Sequence, residues 1–515
     1  MATPLLILRP AHSGTNMRNA FRAAACFLAA ASVNLAPADA QQVGRPPASM
    51  FGGTSELFTS HCVGCHGDTL AGGRAPTLFA ESLLLEKSDA TLADTIRNGV
   101  LKNGMPAFKD LLSEGDVSQI IAFLRIRGGQ LKGAPSFLPD PNGQIVKSEK
   151  LTFKIEVVAA DLNTPWGAVF LPDGRMLLTE RPGRIRSLHL GKLSDPVKNT
   201  PIPWVRQDGG FFDIAIDPDY KKNGWIYLSY SAVAPGVAQP PPDDPKVSRV
   251  QWAPAPPSMT RFVRGRINAS NEWVDQQEIL SMPAETYSDS VIHYGSRFLF
   301  DKKGHLFITM GDRGEMSHAQ DLASPLGKIH RINVDGSIPK DNPFVNTPGA
   351  VPSIWTLGNR NPEGLAIDPR SGLMWGSDNG PTGGDELNLV EKGHNYGWGV
   401  VSMGLQPGIT RQHQDGMDDP VRYYTPAIAP SGIHFYTGNR YPGWKNSLFL
   451  SALAGQRLIR YEIKGRKVTH EEVVFKGFGR VRQVLTGPDG YLHVLIQNSQ
   501  SLANSPGMVI RLLPQ

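Results

Sequence analysis

Two residues with acid–base chemistry flank one predicted hairpin. Residues 291 to 314, VIHYGSRFLFDKKGHLFITMGDRG, predict a strand ending in His293, a turn at Lys303-Gly304 and a returning strand that delivers Asp312. If the strands pair through that turn, a carboxylate lies close enough to orient an imidazole, which is the geometry of a general base and its orienting residue. A loop histidine beside a turn aspartate, without a chemical role, is the alternative for this pair taken alone.

A second group of reactive residues lies near the start of the chain, in the helical stretch LFTSHCVGCH at 57–66. In an exported protein the C-x-x-C-H motif attaches haem c through the thiols of Cys62 and Cys65, and His66 has the spacing of an iron ligand. A zinc site or redox dithiol needs a second ligand pair or a βαβ context, and neither is present. Met105, in the irregular segment NGMPAF, is the predicted second axial ligand.

The residues that follow the motif predict a small helical domain. Ala90 to Asn98 and Glu114 to Arg127 show helical apolar spacing, and Ser113 is the expected N-cap of the second helix. The whole span from 50 to 128 resembles a class I cytochrome c. The Gly-, Pro- and Asn-rich stretch 129–150 is interpreted as a linker to a second domain at 151–515.

The first forty residues have the features of a signal peptide. Between 17 and 40, two arginines precede a short apolar run, and Ala38-Asp39-Ala40 is an A-x-A cleavage site. Met17 is a better start than Met1, which leaves residues 1–16 unexplained. Because the run is too short to span a bilayer, we expect a mature chain that begins near Gln41, is periplasmic and has no membrane span.

Composition excludes some functions. A chain of 515 residues exceeds one ordinary domain, and 54 glycines with 42 prolines favour strands and turns over helices. The net charge of +5 and the lack of a dense Lys/Arg run argue against nucleic-acid binding.

One hairpin pattern recurs six times in the second domain: apolar residues, a turn with Asp, Pro or Gly, then a β-rich run. It occurs at 168–180, 215–230, 299–312, 366–379, 441–453 and 486–498. Such repeats predict a six-bladed propeller, since a four-stranded blade buries its two faces only against neighbours in a closed ring. The predicted fold is therefore multidomain, with a small all-α domain followed by an all-β six-bladed propeller.

Polar residues between these hairpins suggest a site at the central channel. Arg360 and Asn361 precede one strand, Gly380-Pro381 follows it, and Arg480 and Arg482 share one face of an extended segment. Each group alone is compatible with a surface turn or a solvated charge pair. Together with the histidine and aspartate, they supply arginines for an anion and turn carbonyls for calcium.

At this point the motifs resemble a known family. IHYGSRF, GDRG, AQDLASPLGKIHRIN, LGNRNPEGLA, NGPTGGDELNLVEKGHNYGW, IAPSG and GRVRQV are similar to the soluble quinoprotein glucose/aldose sugar dehydrogenases, which include sorbosone dehydrogenase-like proteins. The resemblance covers nearly all of 151–515. It implies a propeller that binds pyrroloquinoline quinone (PQQ) and calcium and oxidises a sugar or related alcohol or aldehyde. The fused haem c would then pass the electrons to a downstream acceptor.

The resemblance also implies roles for single residues. His293 takes the hydroxyl proton while hydride passes to the quinone, Asp312 orients His293, and Arg360 stabilises the developing oxyanion. Calcium is held by the main-chain carbonyls of Gly380 and Pro381. The expected PQQ-binding residues are Asp208, Asn361, Arg480 and Arg482.

Two positions depart from the family pattern. Asp208 stands where many members have glutamine, with Gln207 one residue away, and Ala454 stands where many have a cofactor-contacting lysine. Whether Lys445 or Arg457 compensates is open at this point. The loss of a cation supports an alternative function, a non-catalytic carbohydrate-binding or lactonase-like propeller attached to a cytochrome c.

Overall fold

The computed structural model describes residues 57, 58, 60–62, 66, 78, 87–100, 105–131, 140–239, 255–497 and 506–515. The predicted signal peptide, Cys65 and part of the predicted linker lie outside these residues. None of the helices in the described part of the chain has both the length and the apolar character that a membrane crossing requires.

The first described elements are the two predicted helices, α1 (Asp89–Asn98) and α2 (Glu114–Leu131). Ser113 caps α2 as expected: its hydroxyl accepts from the amide of Asp116 at 3.2 Å and donates to the Asp116 carboxylate at 2.7 Å. The helices pack on a small apolar core formed by Phe58, Leu92, Ile96, Leu112, Val117, Ile120, Ile121 and Leu124. The prediction of a small all-α domain is confirmed.

The strands that follow form six sheets, and the predicted six-bladed propeller is confirmed. Strands β1 (Ile145–Lys147) and β2 (Thr152–Asn163) come first. Blade 1 contains β3 (Pro165–Phe170), β4 (Met176–Glu180), β5 (Arg184–His189) and β6 (Lys192–Leu193). Blade 2 contains β7 (Phe211–Ile216), helix α3 (Tyr220–Asn223), β8 (Ile226–Val233), β9 (Ser258–Ile267) and β10 (Trp273–Leu280).

A 3₁₀ turn, Ala284–Thr286, leads to blade 3, which contains β11 (Phe298–Phe300), β12 (His305–Met310), helix α4 (Ser317–Gln320), β13 (Lys328–Asn333) and β14 (Ile354–Leu357). Blade 4 contains β15 (Pro362–Ile367), β16 (Met374–Asp378), β17 (Asp385–Val390) and β18 (Arg422–Tyr424). Blade 5 contains β19 (Pro430–Phe435), β20 (Leu448–Ala452), β21 (Arg457–Lys464) and β22 (Lys467–Lys476). Blade 6 contains β23 (Arg480–Thr486), β24 (Leu492–Gln497) and β25 (Pro506–Pro514).

The ring closes by pairing the two ends of the propeller domain. Blade 6 has the strand order β1-β2-β25-β24-β23, so β2 from the start of the domain pairs antiparallel with β25 from its end. Each of the six predicted segments falls in a separate blade and includes its second strand, but residues 441–453 contain only that strand, β20, because the first strand, β19, ends at Phe435. The first strand of each blade lines the central channel.

Apolar clusters fill every junction between neighbouring blades, which is how a ring of sheets buries both faces of each sheet. The largest joins blades 5 and 6 around Trp444 and Phe153, and others join blades 4 and 5, 1 and 2, 2 and 3, 6 and 1, and 3 and 4. The rigid ring then holds the loops at its ends in fixed positions.

His330 in β13 makes a stability prediction possible. Its ring is fully buried, with Nδ1 2.9 Å from the Ser353 hydroxyl and Nε2 2.8 Å from the carbonyl oxygen of Pro325. A carbonyl only accepts, so Nε2 carries a proton, and in the neutral ring Nδ1 accepts from the Ser353 hydroxyl. Burial lowers the pKa of His330 to about 4, and the nearby charge of Lys328 adds to this effect.

We expect His330→Gln to change how stability depends on pH. Between an unfolded-state pKa of about 6.5 and the native value, only the unfolded chain takes up the proton, so the native protein loses stability as pH falls. The variant lacks this loss, although it starts less stable. The difference in unfolding free energy between the native protein and His330→Gln should therefore shrink by about 2 kcal/mol from pH 6.5 to 5. Urea unfolding at each pH measures this difference.

A matched control is His413→Gln at an exposed loop position. The hydrogen bond and ion pair with Asp419 raise the pKa of His413, so this histidine stabilises the native protein more as pH falls. The difference in unfolding free energy between the native protein and His413→Gln should therefore not shrink as pH falls. A difference for the His330 variant that stays constant from pH 7 to 5 would contradict the prediction.

Candidate functional site

His293 and Asp312 lie together as the sequence predicted, but the backbone around His293 does not form a strand. The hairpin pairs β11 with β12, and His293 precedes it in an irregular segment with φ of 56°. Gly295 and Ser296 also have positive φ, which a strand does not tolerate. The predicted strand ending at His293 is therefore wrong, whereas the predicted proximity is confirmed: Nδ1 lies 2.7 Å from Asp312 Oδ1.

Asp312 is buried at the centre of a hydrogen-bond network. Oδ1 also accepts from the amide of Gly314 at 2.7 Å, and Oδ2 accepts from the indole N–H of Trp398 at 2.7 Å. Burial alone would raise the pKa of Asp312, but the charge and hydrogen bond of His293, with Arg360 and the Gly314 amide, hold it below its usual value. An ionised Asp312 accepts the Nδ1 proton and leaves the Nε2 lone pair of His293 available as a base.

Arg360 and Asn361 join blades 3 and 4 at this end of the channel. The Arg360 carbonyl accepts from the amide of Asp312 at 2.8 Å, and the Arg360 guanidinium donates to the carbonyl of Asn379 at 3.0 Å. Asn361 Oδ1 accepts from the amide of Gly295 at 3.0 Å, two residues from the histidine. Burial lowers the pKa of Arg360, opposed by the surrounding carboxylates.

Arginines from other blades approach the same place. Arg480 and Arg482 come from β23, and Arg181, which the sequence analysis did not identify, follows β4. Burial lowers the pKa of Arg181 and of Arg480 to about 10 each, and repulsion from Arg482 contributes in both cases. The Nε atoms of these three arginines and of Arg360 are buried and have no hydrogen-bond partner within the described residues.

Buried guanidinium groups with unsatisfied N–H donors are costly unless a ligand supplies acceptors. Asp208 supplies one negative charge: its carboxylate stabilises the charged forms of Arg181, Arg360, Arg480 and Arg482, and it accepts from the amide of His293 at 3.2 Å. Glu363 supplies a second carboxylate to Arg181, Arg480 and Arg482, so these three arginines face two carboxylates and one positive charge is left over. The arrangement therefore suits a ligand with several anionic oxygens.

Glu363 is a second residue that the sequence analysis did not identify as functional. Its carboxylate accepts from Arg482 Nη1 at 2.6 Å, from Asn361 Nδ2 at 3.1 Å and from the Ser431 hydroxyl at 3.0 Å. It therefore fixes one arginine and one amide of the predicted set. The motif NRNPEGLA contained it, but a glutamate at the start of a strand gives no local signal of an ion pair 119 residues away.

Gly380 and Pro381 line a cavity together with Arg360, Trp398 and Glu386. A side chain at Gly380 would lie 2.3 Å from the carbonyl oxygen of Gly384, so the turn tolerates only glycine there. Burial raises the pKa of Glu386 to about 8, and repulsion from neighbouring aspartates adds to it. Peptide oxygens beside buried acids are a donor set that suits a hard cation such as calcium.

The structure shows where the departure at the family lysine position lies. Ala454 is exposed in the turn after β20, at the end of blade 5 that carries the site. Lys445 lies in the loop at the opposite end of the β19–β20 hairpin and does not replace the missing cation. Arg457 starts β21 beside that turn, and its Nε donates to the Gly455 carbonyl at 3.0 Å.

The predicted haem residues lie in the helical domain. The amide of His66 donates to the carbonyl of Cys62 at 2.9 Å, so the two side chains are one helical turn apart. Cys62 and Met105 both pack against the apolar core of that domain, together with Phe108. An apolar core bordered by a thiol and a thioether fits a haem macrocycle. Cys65 lies outside the described residues.

Comparisons with known proteins agree with this arrangement. Residues 162–504 match the family model described as Glucose / Sorbosone dehydrogenase, and residues 54–124 match that of Cytochrome C oxidase, cbb3-type, subunit III. The chain is 36% identical to aldose sugar dehydrogenase YliI of Escherichia coli over 68% of this chain and 91% of that protein. It is 27% identical to quinoprotein glucose dehydrogenase B of Acinetobacter calcoaceticus over 73% and 92%, respectively.

A solved structure extends the likeness to the fold. The PQQ-bound form of aldose sugar dehydrogenase from Streptomyces coelicolor is similar with a TM-score of 0.55 and 25% identity, over 72% of this chain and 99% of that chain. The match spans the propeller, whose channel end holds the histidine, the aspartate and the arginines described above. The chain therefore belongs to the glucose/sorbosone dehydrogenase family and carries a cytochrome c domain ahead of the propeller.

Proposed function

We propose that the protein is a PQQ-dependent sugar dehydrogenase that passes the electrons of the substrate to its own haem c. The observation that carries the proposal is the set of buried arginines with unpartnered Nε–H groups beside the His293–Asp312 pair. PQQ has three carboxylates and a quinone, and such a ligand would satisfy these donors. The relatives whose names include quinoprotein or PQQ support the same cofactor.

The described residues fit both the cofactor and its cation. Arg181, Arg480 and Arg482 would hold the carboxylates, and Asn361 would contribute an amide. The carbonyls of Gly380 and Pro381 would hold calcium in the cavity next to Arg360. PQQ supplies an acceptor for the hydride that leaves the substrate carbon.

The residues of the chain supply the proton chemistry. His293 Nε2 accepts the proton of the substrate hydroxyl, and Asp312 holds the ring through Nδ1 so that this nitrogen is the basic one. Arg360 provides a buried positive charge adjacent to both Asp312 and the calcium-binding turn. Sugar hydroxyls or hydrated aldehydes are the substrates that this arrangement suits.

A contact between the two domains supports an internal route for electrons. Gly115 of α2 faces Leu405, and a Cβ built at Gly115 would lie 3.3 Å from Leu405 Cδ1. The Leu405 amide donates to the Thr382 carbonyl at 2.9 Å, directly after the calcium-binding turn. The helical domain thus touches a loop that borders the cofactor cavity, and the fused haem is a local one-electron acceptor at high effective concentration.

We also propose export to the periplasm, which rests on the signal-peptide features of residues 17–40. Amino-terminal sequencing of the secreted protein should begin at or near Gln41, and an intact N-terminus would contradict the proposal.

Reconstitution tests the proposed function directly. Purified protein with PQQ and calcium should show an increase in the reduced haem α-band when an aldose is added, and no increase without PQQ. Absence of haem reduction by any aldose, sorbosone or simple alcohol would contradict it. Failure to bind PQQ in calorimetry would instead favour the binding-module or lactonase alternative.

Arginine replacement should separate cofactor binding from folding. We expect Arg480→Gln to weaken PQQ binding by roughly 10- to 150-fold, because a charge-assisted hydrogen bond contributes about 1.5–3 kcal/mol. Calorimetry with PQQ in the presence of calcium measures the loss. Arg466→Gln is the control, since Arg466 pairs with Glu391 on the surface and should leave affinity unchanged.

A further inference from the structure

Trp398 contacts both halves of the proposed catalytic machinery. Its indole N–H donates to Asp312 Oδ2 at 2.7 Å, and its ring lies under the guanidinium of Arg360, 5.2 Å from Cζ to the ring centre. The side chain is 7% exposed and lines the cavity that contains Gly380 and Pro381. It is therefore adjacent to the reacting region without being an acid or a base.

The backbone of Trp398 is fixed on both sides. Its amide donates to the carbonyl of Gly358 at 2.9 Å, and its carbonyl accepts from Gln320 Nε2 at 2.8 Å. Gln320 also exchanges hydrogen bonds with Asn395 at 2.8 and 3.0 Å. These contacts hold the indole in one place, so the hydrogen bond to Asp312 is pre-organised.

We propose that Trp398 is a positioning residue that sets the basicity of His293 through Asp312. This inference rests on the proposed function, because it assigns Trp398 a part in the proton transfer. The two oxygens of Asp312 have divided tasks: Oδ1 accepts from the imidazole, and Oδ2 accepts from the indole. The indole stabilises the carboxylate charge and so weakens the electrostatic attraction between Asp312 and a protonated His293.

The direction of the effect follows from the groups that face the pair. Asp312 faces His293 and the positive charge of Arg360, and Asp208 accepts from the amide of His293. The Arg313 guanidinium donates to the carbonyls of the segment before His293. Removing the indole donor leaves these charges in place. Because the Asp312 carboxylate then has one stabilising donor fewer, it attracts the protonated imidazole more strongly, and His293 becomes more basic.

The test is Trp398→Phe, which keeps an aromatic ring and removes the N–H. We expect the protonation midpoint of His293 to rise by about half to one pH unit. Histidine-selective ¹³C NMR of the cofactor-free protein gives the midpoint, with the His293 signal assigned by its loss in His293→Gln. In the PQQ-loaded enzyme the acidic limb of the pH profile of kcat should move by the same amount.

Trp375→Phe is the matched control. Trp375 is fully buried between blades 4 and 5, and its indole N–H has no hydrogen-bond partner within the described residues. The control changes the same atoms at a site remote from Asp312, so the His293 midpoint should not move. An equal shift in both variants would overturn the proposal.

A double variant shows whether Trp398 acts through Asp312. In Asp312→Asn the added Trp398→Phe change should no longer move the midpoint, since the carboxylate that transmits the effect is gone. Trp398→His, which keeps a ring N–H donor, should return the midpoint toward the native value. A shift that persists in the double variant overturns the proposal.

The native protein provides a readout even if Trp398→Phe folds poorly. With ¹⁵N-tryptophan labelling, the Trp398 indole N–H signal should change with the same midpoint as His293, and should do so without PQQ. Separate midpoints would contradict the inference. If the PQQ-loaded native enzyme is active but Trp398→Phe leaves the NMR midpoint of His293 unshifted, only this inference is refuted. If Trp398→Phe shifts the midpoint as expected but the PQQ-loaded native enzyme is inactive, only the proposed function is refuted.

Discussion

Replacing His293 with alanine should lower turnover of the sugar by roughly a hundredfold or more and leave PQQ uptake largely intact. The imidazole is the proposed base, and it lies 2.7 Å from Asp312, so its loss removes the group that accepts the hydroxyl proton. The arginines that would bind the cofactor come from other blades and keep their positions. Steady-state kinetics with a soluble dye as acceptor, together with PQQ calorimetry, measure the two effects separately.

His413→Ala is the control for this prediction. His413 also pairs with an aspartate, Asp419, but it lies on an exposed loop. Its replacement should leave both turnover and PQQ affinity at native values. Native turnover in the His293 variant, or a parallel loss of PQQ binding, would exclude His293 as the base.

Replacing both Cys62 and Cys65 with serine should abolish reduction of the haem by substrate while sparing turnover with a small dye. Without the thiols no haem is attached, and the helical domain loses its electron carrier. The propeller has its own apolar junctions and its own closure, so its active site should persist. Haem α-band spectra and dye reduction, recorded on the same preparation, give the two readouts.

His61→Ala tests whether this loss is specific. His61 lies beside Cys62, and its ring packs edge-on to Phe108 at 6.4 Å. We expect this variant to keep its haem and its substrate-driven reduction. Loss of dye turnover in the double serine variant would show that the two domains do not work as separable units.

The sequence could predict the fold because its information is local. Each hairpin carries its own turn residues and apolar strands, and six similar hairpins suffice to indicate six blades. The proximity of His293 and Asp312 was predictable for the same reason, since one turn joins the segments that bear them. The strand assigned up to His293 was wrong because the left-handed backbone at Gly295 and Ser296 gives no periodic signal.

Residues that act across the ring were not predictable in this way. Trp398 is 86 positions from Asp312, and Glu363 is 119 positions from Arg482. Their contacts depend on the closure of the propeller, which brings blades together that share no local pattern. Arg181 was missed for the same reason: after a strand of ordinary composition, a single arginine resembles a surface residue until its burial is known.

The pairing of β2 with β25 has a consequence for biogenesis. Arg480 and Arg482 belong to the blade that this pairing completes. Strand β25 must therefore be synthesised and paired with β2 before this blade is complete and its arginines reach the other blades. Binding of the proposed cofactor would thus be a late event in maturation, since a chain lacking residues 506–514 leaves this blade incomplete.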